Sequence, residues 1–251
     1  MATVYIEVDS GAASGSNLGQ ESNPYHWPSD IAAAETAAGE GGKIIMLDGT
    51  YTNFRSIGGT TDDITWEAKN FQVPLATGMA FSNGTLNGDG HVKVNKIRIS
   101  GSVNTNVAAG SSCQDVTFND CTWTNKPTTM AADEGIQTMN RCTFPYGVHF
   151  QITAQKIKLY NCSVYQPTVS RLNGNNQTIY AKNCIFSCVS TNNQSGDMDW
   201  FVGQSSSNVN NWFHNWALTG IGDDSDPLFV DAANGDLSLR PNSPCLNKAI
   251  D

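Results

Sequence analysis

The chain has 251 residues and a formal net charge of −9, from 14 Lys and Arg against 23 Asp and Glu. This balance argues against a nucleic-acid partner and against an anionic membrane surface, because both are bound through a basic face. Residues 1 to 11, "MATVYIEVDSG", lack the basic start and apolar middle of a secretory signal, and no run approaches the length of a membrane span. We therefore expect no membrane contact, and no signal peptide is visible.

The first predicted unit covers residues 1 to 42 and consists of a strand, a loop and a helix. Residues 28 to 42, "PSDIAAAETAAGEGG", have a Pro-Ser-Asp start signal, an Ala-rich body and a Gly stop. End strands of an open β structure would otherwise pair with other chains, so we expect this short helix to cap one end.

The second predicted unit, residues 43 to 251, carries a repeat marked by cysteines. Four of them are separated by 21, 20 and 22 residues: Cys121, Cys142, Cys162 and Cys184. Apolar residues recur three positions before and two positions after each cysteine: Phe118, Met139, Leu159 and Ala181, and Trp123, Phe144, Val164 and Phe186. Polar residues alternate with these columns, as in half-buried strands. A period of this length with no helix between the strands predicts the coils of a parallel β-solenoid.

Two further columns describe the interior and the bends of each coil. Five positions before the cysteines are Val116, Gln137, Ile157 and Ile179. Gln137 interrupts this column, and we expect a one-residue shift that places the neighbouring Ile136 inside. Asparagines occur one or two positions before each cysteine: Asn119, Asn140, Asn161 and Asn183. Asn tolerates left-handed backbone, so we expect these residues to form the bends.

The cysteines and histidines give no sign of a disulfide framework or a metal centre. The chain has seven cysteines, an odd number, and no C-x-x-C pair. Equivalent residues on stacked parallel strands lie about 4.8 Å apart, further than the Cβ separation of about 3.5 to 4.5 Å in a disulfide. We therefore expect the four periodic cysteines to form a ladder of buried free thiols. The four histidines are scattered, and we predict no metal and no cofactor.

Some charged residues have the chemistry of a polysaccharide-cleaving enzyme. Lys156 and Lys158 flank the inward Ile157 and project together, either as the base of a lyase or as charges that keep an outer sheet soluble. Carboxylate pairs of the kind that hydrolysis needs occur at several places, for example Asp197 with Asp199. None of these residues sits in a recognisable motif, so the catalytic residues remain unknown.

The strongest candidate for a binding site is the segment 195 to 220, where the coil periodicity fades. It brings together Asp197, Asp199, Trp200, Trp212, His214 and Trp216. Aromatic rings flanked by carboxylates suit a glycan site, and they also suit a protein interface. The same rings could instead cover the last coils as ordinary core. After this segment, residues 226 to 251 contain turn residues around two short apolar strands and predict a closing coil.

Both ends of the chain resemble a known superfamily. Residues 4 to 52 run from "VYIEVDSG" through the helix to "GGKIIMLDGTY", and residues 226 to 247 read "DPLFVDAANGDLSLRPNSPCLN". These stretches resemble the opening and the close of right-handed parallel β-helix proteins of the pectate-lyase-like superfamily. The resemblance implies an all-β fold, a single-stranded right-handed parallel β-helix with a short N-terminal capping helix, as one structural domain.

The superfamily includes lyases, hydrolases, tailspikes, adhesins and non-catalytic virion parts, so the resemblance does not select a function. We expect a non-enzymatic surface or structural component of a virus particle, such as a bacteriophage decoration, fibre or spike protein, located on the virion surface or extracellularly. The Met1 start and the abundance of Asn, Gly, Ser and Thr favour this interpretation. Its partners would be other virion proteins, itself as a homotrimer, or a polysaccharide. The alternatives are a polysaccharide lyase or glycoside hydrolase, and a glycan-binding adhesin.

Overall fold

A computed structural model describes residues 2–9, 18–56, 63–72, 74–81, 91–104, 115–125, 130–131, 136–146, 156–166, 178–188, 211–214 and 225–246. The first strands are β1 Thr3–Val8, β2 Tyr25–Trp27, β3 Lys43–Met46, β4 Thr50–Tyr51, β5 Arg55–Ser56, β6 Ile64–Ala68, β7 Leu75–Phe81, β8 His91–Asn95, β9 Arg98–Asn104 and β10 Asp115–Asn119. The remaining strands are β11 Thr122–Trp123, β12 Met130–Ala131, β13 Gln137–Asn140, β14 Thr143–Phe144, β15 Lys156–Tyr160, β16 Ser163–Gln166, β17 Thr178–Lys182, β18 Ile185–Cys188, β19 Trp212–His214, β20 Phe229–Asp231 and β21 Asp236–Leu239. In this part of the chain the only α-helix is α1, Ile31–Ala38.

The strands form two long parallel sheets. The first sheet has the order β17-β15-β13-β10-β8-β6-β3-β1-β2, and the second has the order β19-β18-β16-β14-β11-β9-β7-β4, with β12 and β5 beside it. From β6 to β18 the chain passes back and forth between the two sheets, except that β12 follows β11 in the second sheet, so successive coils add strands to the same edge of each. The fold is therefore a parallel β-solenoid with one short helix, which confirms the predicted fold class.

The predicted columns form the core. The residues three positions before and two positions after the cysteines are all buried, with at most 1% of their surface exposed. Burial of one large apolar side chain stabilises a fold by about 1.5 to 3 kcal/mol, and each coil contributes several such side chains. The repeat in the sequence is therefore the repeat of the hydrophobic core.

The expected shift at Gln137 is wrong. Gln137 pairs in register with Val116 on one side and Ile157 on the other, and it is itself buried. Ile136 is only half-buried. A one-residue shift would turn Met139 out of the core as well, because neighbouring strand residues point to opposite faces. The continuous register therefore keeps a polar residue inside.

The bends between the two sheets use left-handed backbone, as expected, although the asparagines contribute only in part. Asn161 and Asn183 have φ of 54° and 56°. In the two preceding coils the left-handed residues are Asp120 and Arg141, with φ of 55° and 53°. Asn119 and Asn140 instead end their strands.

The predicted ladder of free thiols is confirmed: Cys121, Cys142, Cys162 and Cys184 are buried and unbridged. Each follows the left-handed residue of its bend, and the thiols of Cys121, Cys142 and Cys162 donate to a carbonyl group of the preceding coil. The Sγ of Cys121 donates to the Val94 carbonyl at 3.4 Å, and the Sγ of Cys142 donates to the Phe118 carbonyl at 3.5 Å. Burial raises the pKa of Cys142, so this thiol stays protonated.

Helix α1 packs against β1, β2 and β3, at the N-terminal end of the first sheet. It buries Ile31, Ala34 and Ala38, and the amide of Ala2 donates to the Ala38 carbonyl at 3.2 Å. The predicted capping helix is therefore present. Within the described residues, no helix is long and apolar enough to cross a membrane.

The C-terminal segment does not add a coil in the described part of the chain. Strands β20 and β21 pair antiparallel and form a separate two-stranded sheet. The turn between them ends at Gly235, whose φ of 90° favours glycine. The tight turn reverses the chain, whereas a further coil would need a longer connection. The division of the chain at residues 42 and 43 stays a prediction.

Candidate functional site

The predicted tryptophan site lies only partly in the described structure. Asp197, Asp199, Trp200 and Trp216 lie outside the described residues. Trp212 is in register with Ile185, on the side of the second sheet opposite the buried Phe186. The ring is nevertheless only 8% exposed, and its Nε1 donates to the Ser225 carbonyl at 2.8 Å. Trp212 therefore packs beneath the C-terminal segment.

His214 contacts a serine in the neighbouring coil. Its Nδ1 lies 3.0 Å from the hydroxyl oxygen of Ser187. A histidine beside a serine can activate a nucleophile, but Ser187 is only 2% exposed and cannot meet a substrate. The contact therefore joins β19 to β18.

A different surface, on the outer side of the first sheet, concentrates positive charge. We call it the lysine face and define it by Lys43, Lys93, Lys96, Lys158 and Lys182. Lys93 is exposed and the others are half-exposed. Lys43, Lys93, Lys158 and Lys182 lie next to buried core residues of their strands, so the repeat that builds the interior also directs them outward, and Lys96 follows β8 at the left-handed bend.

The sheet register fixes the spacing of the lysines. Lys43, Lys93 and Lys158 occupy one column of paired residues, together with threonines in the intervening strands. Neighbouring strands lie about 4.8 Å apart, so Lys43 and Lys93 are separated by about 10 Å at the backbone, and Lys93 and Lys158 by about 14 Å. Lys182 stands in the adjacent column beside Tyr160.

Two of the five lysines are partly neutralised by a carboxylate. Glu67 accepts hydrogen bonds from the Nζ atoms of Lys43 and Lys96, each at 2.8 Å. Burial alone would raise the pKa of Glu67, but the hydrogen bonds from the two lysines outweigh it and lower that pKa below its ordinary value. Lys93, Lys158 and Lys182 have no ion-pair partner among the described residues.

Between the lysines the face is held rigid by an amide ladder. Asn119 donates to the side-chain oxygen of Asn95, and Asn140 donates to that of Asn119, each at 2.8 Å. These side chains are therefore hydrogen-bonded to one another and offer fewer hydrogen bonds to a ligand. The lysine face thus presents positive charge on a hydrogen-bonded, polar sheet.

The charges of the chain are unevenly distributed. Residues 1 to 48 hold seven acids and one base, and residues 197 to 251 hold eight acids and two bases. Residues 49 to 196 hold eight acids and eleven bases, including four lysines of the lysine face. The net charge of −9 therefore conceals a basic middle between two acidic ends.

No family model, curated protein or solved structure matches the chain. The strand pairing defines the fold, and the feature of the solenoid surface that bears on function is the lysine face. Ammonium groups at fixed spacing bind anions electrostatically.

Proposed function

We propose that the protein acts by contact rather than by turnover, as a non-enzymatic surface or structural component of a larger assembly, with the lysine face docking on an acidic protein surface. The observation that carries this proposal is the set of three lysines without an ion-pair partner in the described structure, on one rigid sheet of an otherwise acidic chain. A virus particle is the assembly that the composition of the chain favours.

The rigidity of the sheet supports docking. The lysine-bearing strands β8 and β15 each pair with a strand on both sides, so we expect the backbone positions of Lys93 and Lys158 to change little on binding. Association then costs mainly the ordering of long side chains, about 0.5 to 1.5 kcal/mol each. Complementary charge raises the association rate and selects against basic partners.

A protein partner is favoured over a glycan by the amide ladder. Sugar recognition relies on hydrogen bonds to hydroxyl groups, and the side chains of Asn95, Asn119 and Asn140 are already hydrogen-bonded to one another. The amide ladder therefore takes up part of the hydrogen-bonding capacity between the lysines and leaves their charge available. Carboxylates clustered on a protein surface can bind to this positive charge without directional hydrogen bonds.

The proposal is tested with poly-L-glutamate as the acidic polypeptide and polygalacturonate as the acidic glycan. We expect the wild type to bind poly-L-glutamate at low salt and to lose it at high salt, because exposed charges are screened. Lys158→Glu should weaken binding several-fold. Arg240→Glu, which makes the same charge change at an exposed residue of the C-terminal segment, should not.

Three results would count against the proposal. Equal loss of binding in Lys158→Glu and Arg240→Glu would mean that overall charge, and not the lysine face, governs binding. Binding to polygalacturonate alone would favour the adhesin alternative. Release of unsaturated uronate or of reducing ends from polygalacturonate would favour the enzyme.

A further inference from the structure

We infer that Glu7, Asp9 and His26 form a binding site for a divalent transition-metal ion such as zinc, which would join β1 to the edge strand β2. The site is separate from the lysine face, at the N-terminal end of the first sheet. The inference does not depend on the proposed docking function.

The parallel pairing of β1 and β2 brings the three side chains together. Glu7 and His26 are paired residues in the register, and Asp9 follows Glu7 by two positions, which places it on the same side of the chain. The Nε2 of His26 lies 3.4 Å from a carboxylate oxygen of Glu7 and 3.9 Å from one of Asp9. All three potential ligand atoms lie within 4.8 Å of one another.

These separations are close to those around a bound zinc ion. Zinc bonds to imidazole nitrogen and carboxylate oxygen are about 2.0 to 2.2 Å long, so two ligand atoms of a tetrahedral site lie about 3.3 to 3.6 Å apart. The atoms of His26 and Glu7 already have this separation. The carboxylate of Asp9 lies 3.9 Å from the same nitrogen, and this side chain is 52% exposed, so a small rotation brings it to the separation of a zinc ligand.

The donor set selects the class of metal. One imidazole nitrogen with two carboxylates suits zinc, cobalt or nickel, whereas calcium and magnesium prefer oxygen ligands alone. Three protein ligands leave a fourth position for water. The side chains of Glu7 and Asp9 are 39% and 52% exposed, so an ion can enter from solvent.

The surrounding structure holds His26 in place and supplies a charge for the ion to balance. The backbone amide of His26 donates to the Asp30 carboxylate at 3.0 Å, and its carbonyl accepts from the Asp30 amide at 2.9 Å. Two carboxylates beside a single imidazole attract a dication. Because β2 is the last strand of the first sheet and leads into α1, the ion would hold the N-terminal cap onto the coils.

The test is titration of the metal-free full-length chain with zinc by calorimetry, and with cobalt by visible absorption. We expect one equivalent to bind, with a higher melting temperature and a cobalt spectrum free of thiolate charge-transfer bands. Loss of a residue that only orients a metal ligand costs about 10- to 100-fold in affinity, so His26→Gln should cost at least about 100-fold. The matched control is His91→Gln, since His91 contacts Thr117 elsewhere on the first sheet.

Several outcomes would overturn the inference. The first is that the wild type binds no zinc at millimolar concentration. The second is that His26→Gln retains wild-type affinity, which would place the ion on other residues. Glu7→Gln provides a second variant if His26→Gln fails to fold, and it should weaken binding as well. If both variants fold, retained affinity in either one contradicts the site.

Discussion

Replacement of Ile157 by Asp tests the register on which the fold and the lysine face both depend. Ile157 is fully buried in β15, between the paired residues Gln137 and Ile179 of the neighbouring coils. The substitution removes an apolar side chain from the core, at a cost of about 1.5 to 3 kcal/mol. It also places a carboxyl group among apolar residues.

The cost of the carboxyl group follows from its protonation. Keeping it neutral at pH 7, about three units above the ordinary Asp pKa of about 3.9, costs about 4 kcal/mol. The total, about 6 kcal/mol, is comparable to the whole stability of many domains. The group's pKa is raised in the folded state, so the deficit should shrink as the pH falls towards 4.

Urea denaturation of Ile157→Asp measures this deficit, with Lys158→Asp as the matched control. Lys158 is the next residue and points outward, so its replacement should change stability by no more than about 0.5 kcal/mol. Hydrogen exchange should show lost protection in β13 and β17 as well as β15, because each coil is stabilised by its neighbours. An unchanged urea midpoint for Ile157→Asp, or a larger effect of Lys158→Asp, would show that the register is wrong.

Three other predictions concern the thiols, the ion pairs and the packed tryptophan. The four cysteines of the thiol ladder should resist alkylation in the native protein and react once it is denatured without reductant; mass spectrometry showing Cys121 linked to Cys142 would refute the ladder. Glu67→Gln should lower the free energy of unfolding by about 1 kcal/mol at neutral pH. The value is small because the two lysines are half-exposed and solvent screens their ion pairs. Because the folded-state pKa of Glu67 is lowered, its contribution is present above its ordinary pKa of 4.5 and should disappear as the pH falls through the lower folded value, which pH-dependent melts will measure. Trp212→Ala should lower stability by about 3 to 5 kcal/mol, since the ring is buried under the C-terminal segment; a variant with an unchanged melt but weakened self-association in sedimentation would mean that the ring serves an interface.

The sequence predicts the repeating part of the fold well, because the repeat and the core have the same cause. Every coil must bury the same positions, so the columns around Cys121 and its equivalents are visible without a structure. The wrong predictions concern positions where the backbone geometry determines which residue is buried or which residue forms the bend. Gln137 stays inside because the register is continuous, and Asp120 takes the left-handed position that the neighbouring Asn119 was expected to take.

The candidate sites were harder to predict because they depend on contacts between coils. Spacing along the chain does not show that Glu7 faces His26, since a 16-residue connection separates β1 from β2. The lysine face was likewise concealed by the net charge, although Lys158 was expected to project outward. If the coils are aligned and their polar positions are compared, Lys43, Lys93 and Lys158 fall in one column.

The most direct test of docking through the lysine face is acetylation footprinting of the wild type with and without poly-L-glutamate. Each lysine reports its own accessibility, so the bound surface is located residue by residue. Lys93, Lys158 and Lys182 should be protected when the polymer binds, while Lys69, which is ion-paired with Glu21 outside the lysine face, should keep its reactivity. Equal protection of Lys69 and Lys158, or unchanged reactivity of all four lysines under conditions where the polymer is bound, would contradict docking through this face.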